Sequence, residues 1–592
     1  MRSKLLIFVS LLIMASMVLS ACQPAAVPTP ETIIQTVIVE GEVQEVIVTT
    51  TPAPVVEAEK PAVLRVNLGS WPDILDPQKS SFVNEIAHLK LIYEGLTKLD
   101  NELDTVPGAA EKWEYNADAT ELTFTLRSGL TYSDGTLLNA KRFEYSIFRN
   151  VNPETAGEYA AITDNIAGAQ GWRTGEGAME DVKVQALDTA GNPCVDYEQA
   201  DCLILKVGLD GDPATPEQEP APFMHTVMSL WVTFPAKEEL IAEGGDIWWT
   251  SSKYHIGNGP FVVKSLEPFV RGYFTPNPNY WEGVASYDLE FSYVVDSAVY
   301  FEAYKNNEFD IIPLVAEDLA VVQQDAVLSQ EAQIYPGSCT FAFYMNTDKP
   351  PFDDVKVREA FAYGTNREAW VTDILQGLGA PTLTWIPQGF PGYDPNETRW
   401  GYDVDKAKAT IAESSYGSFE ALPPVKLTYS SSARNKTRFE WLAGQWTQTL
   451  GVKVELDPVE PTAYTALTKE RETLPQVFYL GWCADYPDPQ NWLSVYWMST
   501  SEFARRYGFA NEEMDVLMKK GDVTQDPEER AGYYDEAQKL LVGTTAVIFM
   551  VNNVNSYLVK PWVKGIVQTP QDAGWVGDNA PLSITIDTSM VP

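Results

Sequence analysis

The segment VKLTYSSSARNKTRFEWLAGQWTQTLGVKVEL, residues 425–456, carries the clearest signal of the fold. Its first six residues, 425–430, are rich in β-branched and aromatic side chains and predict a strand. Four apolar residues then recur at the spacing of one helix face: Phe439, Leu442, Trp446 and Leu450. Gly451 stands where a helix commonly ends. Residues 452–456 alternate apolar and polar side chains, which predicts a second strand.

The same pattern continues along the chain, with a predicted helix near 463–473 and a strand at 477–482. Repeated strand–helix–strand units predict a mainly parallel sheet with helices on its faces, within an α/β protein of mixed α+β character. Ligands of such sheets bind beyond the carboxyl ends of the strands. The polar and aromatic loop 483–489 lies at that end, so we predict a site there. Elsewhere, 64–68 and 122–127 are predicted strands.

Residues 353–375 predict one or two helices. Their inward side would carry Val357, Ala360, Phe361 and Trp370.

The composition describes a folded and strongly acidic protein. The 592 residues include 82 Asp and Glu against 42 Lys and Arg, a net charge of −40, and 45% of them are hydrophobic. That apolar content excludes global disorder. The acidic excess argues against nucleic acid as a ligand and against docking on anionic lipid by charge alone.

The amino terminus is typical of an exported lipoprotein. Residues 1–21 join a short basic start to an apolar run, as a signal peptide does, and the following Cys22 completes a sequence like a bacterial lipobox. We therefore expect a lipid on Cys22, with an ordinary cleaved signal as the alternative. Residues 22–61, punctuated by proline, are predicted to be a flexible tether.

Four further cysteines remain in the body: Cys194, Cys202, Cys339 and Cys483. None stands in a Cys-x-x-Cys pair, which argues against zinc-ribbon and thioredoxin sites. In an oxidising compartment four cysteines suggest two disulfides. Cys194 and Cys202 flank a short polar loop, and Cys339 would then pair with Cys483. Four buried free thiols are the alternative.

Enzyme signatures are missing from the sequence. It holds no phosphate-binding GxxxxGK[ST] loop, no HExxH and no GxSxG. Its three histidines, His88, His225 and His255, are far apart and are expected to be structural. We expect no metal, no cofactor and no enzymatic activity.

Several segments follow one another in an order that is itself diagnostic: LRVNLGSWPDILDPQ (64–78), IYEGLTKLD (92–100), the stretch 107–146, GNGPFVVKSLEPF (257–269), NPNYWEG (277–283), the stretch 339–361, GWCADYPDP (481–489) and LVKPWV (558–563). Together they resemble the dipeptide/oligopeptide-binding family of ABC-transporter solute-binding lipoproteins. The resemblance implies a two-lobed clamp with an extra domain.

Domain I would comprise 62–103, 234–338 and 545–592, domain II 104–233, and domain III 339–544. The resemblance also supports the Cys339–Cys483 pair.

The resemblance further implies a binding site. Asp485 matches the aspartate that holds a peptide's ammonium group, and the backbone of Trp482 and Cys483 would pair with the peptide. A turn-forming role is the plainer interpretation of Asp485. The facing segment of domain I would be Ser81, Phe82 and Val83, and Tyr159 would be a pocket tyrosine of domain II. Interface packing is the alternative for Trp482 and Tyr159.

Some family positions differ in this chain. Tyr479 stands where the branch often has an arginine, and Ala342 and Asn553 replace pocket tyrosines. Pro313 and Leu314 replace a pair of asparagines. The first change removes a cation that could meet a peptide carboxylate. Ligand length and ligand class are therefore left open.

The leading hypothesis is a monomeric binding protein outside the cytoplasm, held to the membrane by its lipid alone. It would capture oligopeptides and deliver them to a permease powered by a separate ATPase. An oligosaccharide ligand within the same family is the first alternative. A secreted hydrolase is the second.

Overall fold

The computed structural model of the protein describes residues 32–39, 42–49, 62–213 and 218–592. The predicted signal peptide and Cys22 lie outside the described residues. The strands are, in chain order, β1 Thr32–Val39, β2 Glu42–Thr49, β3 Ala62–Asn67, β4 Thr97–Leu99, β5 Thr105–Pro107, β6 Ala110–Tyr115, β7 Glu121–Leu126, β8 Val184–Leu187, β9 Ile204–Gly208, β10 Phe261–Glu267, β11 Arg271–Pro276, β12 Tyr287–Ser292, β13 Ile311–Pro313, β14 Ala332–Met345, β15 Ala380–Pro381, β16 Val425–Ser430, β17 Val454–Val459, β18 Val477–Cys483, β19 Val547–Val559, β20 Val563–Lys564 and β21 Thr585–Ile586.

The α-helices in the described part of the chain are α1 Val83–Ile92, α2 Ala140–Val151, α3 Ala169–Thr174, α4 Met224–Val227, α5 Glu238–Gly244, α6 Ser297–Lys305, α7 Ala316–Gln324, α8 Leu328–Glu331, α9 Val355–Gly364, α10 Arg367–Ala369, α11 Val404–Ile411, α12 Ala433–Leu450, α13 Pro461–Lys469, α14 Pro489–Trp492, α15 Ser494–Trp497, α16 Glu502–Tyr507, α17 Glu512–Val523 and α18 Pro527–Thr544. None of them is long and apolar enough to cross a lipid bilayer.

One mixed sheet dominates the region 62–592, in the strand order β10-β11-β12-β3-β13-β19-β14-β18-β16-β17. Strand β16 is parallel to both β17 and β18, as the sequence predicted. Most other neighbours are antiparallel, including β14 with both β18 and β19. The prediction of a mainly parallel sheet is therefore right for the strand–helix–strand unit and wrong for the sheet as a whole. The long strands β14 and β19, which lie outside that unit, join the sheet in antiparallel pairs.

Helix α12 shows why the local prediction succeeded. Ser432 caps its amino end by accepting a hydrogen bond from the Asn435 amide, and Gly451 ends it with φ of +79°, a left-handed conformation that suits glycine. The four apolar residues of its inward face are all buried against the sheet: Phe439, Leu442, Trp446 and Leu450. The inward residues predicted within 353–375 are buried as well: Val357, Ala360, Phe361 and Trp370.

One continuous apolar core joins residues of the predicted domains I and II, such as Leu64 and Phe124. A second, antiparallel sheet, in the order β6-β7-β9-β8, lies wholly within the predicted domain II. In the predicted domain III, two buried clusters occupy opposite faces of β14 and β18, one around Phe343 and one around Tyr344. The exact domain boundaries remain a prediction.

Strand β14 passes from the predicted domain I into the predicted domain III, and β19 pairs with it on both sides of that boundary. Residues Ala332 to Pro336 pair with Leu558 to Val554, whereas Thr340 pairs with Asn552. The register therefore shifts between Pro336 and Thr340. Because the two strands run side by side across both domains and their ladder is interrupted at this shift, it is the natural place for a bend between the domains.

The segment predicted as a flexible tether contains two strands. β1 and β2 pair with each other as an antiparallel hairpin, from Thr32 opposite Thr49 to Val39 opposite Glu42. Each strand supplies the other's backbone partner.

Candidate functional site

Strand β18 has one edge that the rest of the sheet leaves open. Along β14 it pairs from Val477 to Cys483, but β16 meets it at Val477 only. The Tyr464 hydroxyl, 3.1 Å from the Tyr479 carbonyl oxygen and 3.3 Å from its amide nitrogen, bonds to both groups on this edge. Tyr479 therefore points its backbone groups away from β14.

The backbone groups further along this edge point the same way. In an antiparallel ladder the backbone groups alternate in direction, so those of Gly481 and Cys483 share the direction of Tyr479. The Cα atoms of Cys339 and Cys483 are only 3.9 Å apart, as expected for a non-hydrogen-bonded pair. Gly481 and Cys483, rather than Trp482, thus present the amide and carbonyl groups that an added strand would use.

Asp485 lies just beyond this edge and is held by Asn491. The Asn491 side-chain amide donates to one Asp485 carboxylate oxygen at 2.9 Å. The Asn491 amide oxygen in turn accepts the Asp485 backbone N–H at 3.1 Å and the Trp482 indole N–H at 3.2 Å. One amide therefore orients both the carboxylate and the neighbouring tryptophan.

The carboxylate of Asp485 has no positively charged partner among the described residues. Burial among protein atoms raises the pKa of Asp485 to about 7, and the hydrogen bonds from Asn491 and Tyr159 offset only part of this effect. Within the described residues, no Lys, Arg or His forms an ion pair with it. A half-buried carboxylate of this kind would gain free energy from a positively charged partner.

Tyr159 meets Asp485 from the predicted domain II. The neighbouring Asp485 is the main cause that raises the pKa of Tyr159, ahead of burial and of Glu158. Glu158 is exposed, and its carboxylate accepts a hydrogen bond from the Ser81 hydroxyl at 2.6 Å. Three predicted site residues, Ser81, Tyr159 and Asp485, are thus brought together, with Glu158 as a second negative charge.

Phe82 and Val83 lie in the same segment as Ser81, at the start of α1. Their side chains are 63% and 60% exposed, which is unusual for large apolar residues. Glu85 orients the segment by accepting the backbone N–H groups of Ser81 and Phe82 at 2.8 and 3.1 Å. The side chains of Phe82 and Val83 are therefore accessible to solvent, and the contact of this segment with a ligand stays a prediction.

Two other predicted site residues lie away from Asp485. The Tyr479 ring packs against Phe341, Phe343 and Trp370 on the far part of β18. Asn553 braces the bend instead, because its side-chain oxygen accepts the Cys339 backbone N–H at 2.7 Å.

Both suggested disulfides are formed in the structure, Cys194–Cys202 and Cys339–Cys483. The second joins β14 to β18 beside the open edge. Among the described residues, no group of three or more His, Cys, Asp or Glu is placed to hold a metal ion.

A family model described as bacterial extracellular solute-binding proteins, family 5, matches residues 104–503. The chain belongs to this family. The match covers more than half of the protein, including Tyr159, the open edge and Asp485.

Relatives within family 5 differ in the ligand that their names give. The periplasmic oligopeptide-binding protein OppA of Escherichia coli is 28% identical over 87% of this chain and 91% of its own. A probable deoxycholate-binding periplasmic protein, YgiS, of the same organism is 26% identical over 88% and 95%. Family membership alone therefore does not decide the ligand.

A solved structure of a family 5 relative has the same fold. The Escherichia coli murein tripeptide binding protein MppA superposes with a TM-score of 0.70 at 24% identity, covering 89% of this chain and 99% of its own. The fold is thus that of the two-lobed periplasmic binding proteins.

Sequence reasoning missed the residues that support the site. Asn491, Glu158 and Tyr464 were not predicted, although each bonds to a predicted residue or segment. Asn491 follows Asp485 by six positions, and only the turn into α14 brings them together. No periodicity in the sequence signals that contact.

Proposed function

We propose that this protein is the extracytoplasmic binding component of an ABC importer and that it captures oligopeptides. The single observation that carries the proposal is the combination of an open strand edge at Gly481 and Cys483 with the carboxylate of Asp485, which forms no ion pair within the described residues. An extended peptide can add to such an edge through its main chain whatever its side chains are. Its terminal ammonium would then meet Asp485 through charge-assisted hydrogen bonds.

The arrangement around Asp485 supports a clamp. Asp485 comes from domain III, Tyr159 from domain II and Ser81 from domain I, so closure of the domains would surround the amino end of the peptide. Glu158 would add a second negative charge beside the ammonium group. The names of OppA and MppA, which bind peptides, support the same ligand class.

Delivery requires partners that this chain does not supply. We infer that a separate permease with its own ATPase receives the peptide, and that a lipid on Cys22 tethers the protein as a monomer. No catalytic step is part of this function, and no cofactor or metal is needed for it.

Isothermal titration of the purified protein with short peptides tests the proposal. We expect peptides with a free amino end to bind, and the same peptides to bind far more weakly once acetylated there. Binding of oligosaccharides but of no peptide would overturn the peptide assignment in favour of a sugar ligand. Cleavage of the peptides during the titration would instead indicate a hydrolase.

The affinity for peptides should depend on pH. The pKa of Asp485 is about 7 without ligand, so acidification from pH 7.5 to 5.5 protonates it and removes the partner of the ammonium. The peptide amino group, with an ordinary pKa of about 8, loses its charge as pH rises above that value. Affinity should therefore be highest near pH 7–8 and fall by about tenfold per pH unit well below 7. Titrations at fixed ionic strength measure this, and a constant affinity between pH 5 and 8 would contradict it.

A further inference from the structure

A cavity lies in the predicted domain III, at the end of the sheet remote from Asp485. Its volume is about 440 Å³, which falls within the ~300–1,000 Å³ of pockets that hold small molecules. Tyr344 near the end of β14, Phe478 on β18 and Val547 at the start of β19 line it. Tyr344 follows Cys339 by five positions, so the cavity lies ~16 Å along the strand from the disulfide beside the open edge. It is therefore separate from the peptide site.

Aromatic rings form one wall of this cavity. Trp497 from α15, Tyr507 from α16 and Phe509, which follows that helix, line it together with Tyr344 and Phe478. The Tyr344 ring centroid is 5.2 Å from that of Phe478 and 4.8 Å from that of Tyr507. The rings of Trp497 and Phe509 meet edge to face at 4.9 Å. Since aromatic rings attract one another in stacked and edge-to-face arrangements, this wall favours a flat, apolar ligand.

One cation also lines the cavity, Arg358 on α9. Its side chain is half-buried, and its guanidinium donates to two backbone carbonyl oxygens, that of Phe352 at 2.8 Å and that of Thr544 at 3.4 Å. A guanidinium carries five N–H donors, so three are left over. One of these, the buried Nε–H, has no acceptor within the described part of the chain. Burial also lowers the pKa of Arg358, so the environment disfavours an uncompensated positive charge.

The nearest acids do not neutralise Arg358. Three of them influence it electrostatically, Asp354, Glu359 and Asp353, but in residues 62–213 and 218–592 none forms an ion pair with it. Asp354 caps α9 by accepting the Lys356 backbone N–H at 2.8 Å, and Glu359 pairs with the Lys356 ammonium at 2.8 Å. Asp353 is exposed to solvent. An anion inside the cavity would therefore recover free energy that the half-buried guanidinium loses without a counter-ion.

We propose that this cavity is a second binding site and that it takes a small aromatic carboxylate. The ring of the ligand would pack against Tyr344, Tyr507 and Phe509, and its carboxylate would bind the guanidinium of Arg358. The planar fork of a guanidinium matches the two oxygens of a carboxylate, and the volume accommodates one ring with a short acid chain. The inference does not depend on the proposed function, because such a ligand carries no ammonium group for Asp485.

Calorimetric titration with 3-phenylpropionate and with its neutral amide, 3-phenylpropionamide, tests the inference. The wild-type protein should bind the acid about tenfold more tightly, because the amide cannot form the ion pair. Arg358→Gln should bind the acid as weakly as the amide, and Arg358→Lys, which keeps the charge, should retain part of the preference. Lys356→Gln removes one positive charge from the same helix outside the cavity and should behave as the wild type does.

Two further variants separate the aromatic wall from the charge and this cavity from the peptide site. Phe509→Leu should weaken the binding of acid and amide alike by about threefold, because it removes a ring and leaves Arg358 in place. Asp485→Asn should leave the affinity for 3-phenylpropionate unchanged. Equal affinity of the wild type for acid and amide, or no binding of either, would overturn the inference. A loss of binding in Asp485→Asn would also overturn it, by assigning the ligand to the peptide site.

Discussion

Replacing Asp485 with asparagine should weaken the binding of a peptide with a free amino end by about 30-fold or more, at least ~2 kcal/mol. Asparagine has nearly the same shape and can still bond to Asn491, so the change removes the charge and little else. The peptide ammonium would then lose its counter-ion inside a closed site. Titration calorimetry at pH 7.5 measures the effect.

Two controls isolate the charge of Asp485. Glu472→Gln removes one negative charge from an exposed position of the predicted domain III and should leave the affinity unchanged. An amino-acetylated peptide should bind the wild type and Asp485→Asn equally weakly. If Asp485→Asn instead bound the free peptide as tightly as the wild type does, Asp485 would have only a structural role.

The same substitution should stabilise the unliganded protein above neutral pH. Burial raises the pKa of Asp485 to about 7, above its value of about 4 in an unfolded chain. The folded protein therefore binds more protons than the unfolded one between these values, so the free energy of unfolding falls as pH rises from about 4 to about 7 and stays lowered above that. Asp485→Asn should therefore lose peptide affinity while the free energy of unfolding stays equal or rises.

Removing the disulfide between Cys339 and Cys483 should lower the free energy of unfolding by about 5 kcal/mol. The two residues are separated by 144 positions, so their bond closes a long loop and restricts the unfolded chain strongly. The double variant Cys339→Ala with Cys483→Ala, followed by tryptophan fluorescence in increasing urea, measures the loss.

The other disulfide provides a matched control. Cys194 and Cys202 are separated by only 8 positions, so the same entropic argument gives a loss of about 2.5 kcal/mol for their double alanine variant. Both variants lose one bond and two thiols, and loop length is the main difference between them. Equal losses, or a larger loss for the short loop, would contradict the argument.

Local sequence patterns predicted the helices and strands whose start, end and buried face are determined by their own residues. The apolar spacing from Phe439 to Leu450 and the stop at Gly451 located α12 closely, because the signals of that helix lie within its own residues. The same is true of β16 and β18. The antiparallel pairing of β14 with β18 and β19 could not be predicted in this way, because its partners lie more than a hundred residues apart.

In the candidate site, too, local sequence features could be predicted, whereas contacts between distant residues could not. Asp485 could be singled out because a loop at the carboxyl end of a strand is a common ligand site and because its motif resembles a family motif. Its contacts with Tyr159, 326 positions away in the chain, depend on how the domains meet.

The shortness of the open edge on β18 has a consequence for solubility. Unpaired strand edges invite other chains to pair with them, and long exposed ones promote aggregation. Here the Tyr464 hydroxyl occupies the groups of Tyr479, so only those of Gly481 and Cys483 are presented, with the charge of Asp485 directly after them. Two residues offer enough backbone hydrogen-bonding groups for a short peptide. They are too few for stable strand pairing between two folded molecules, so this edge does not promote aggregation of the unliganded protein.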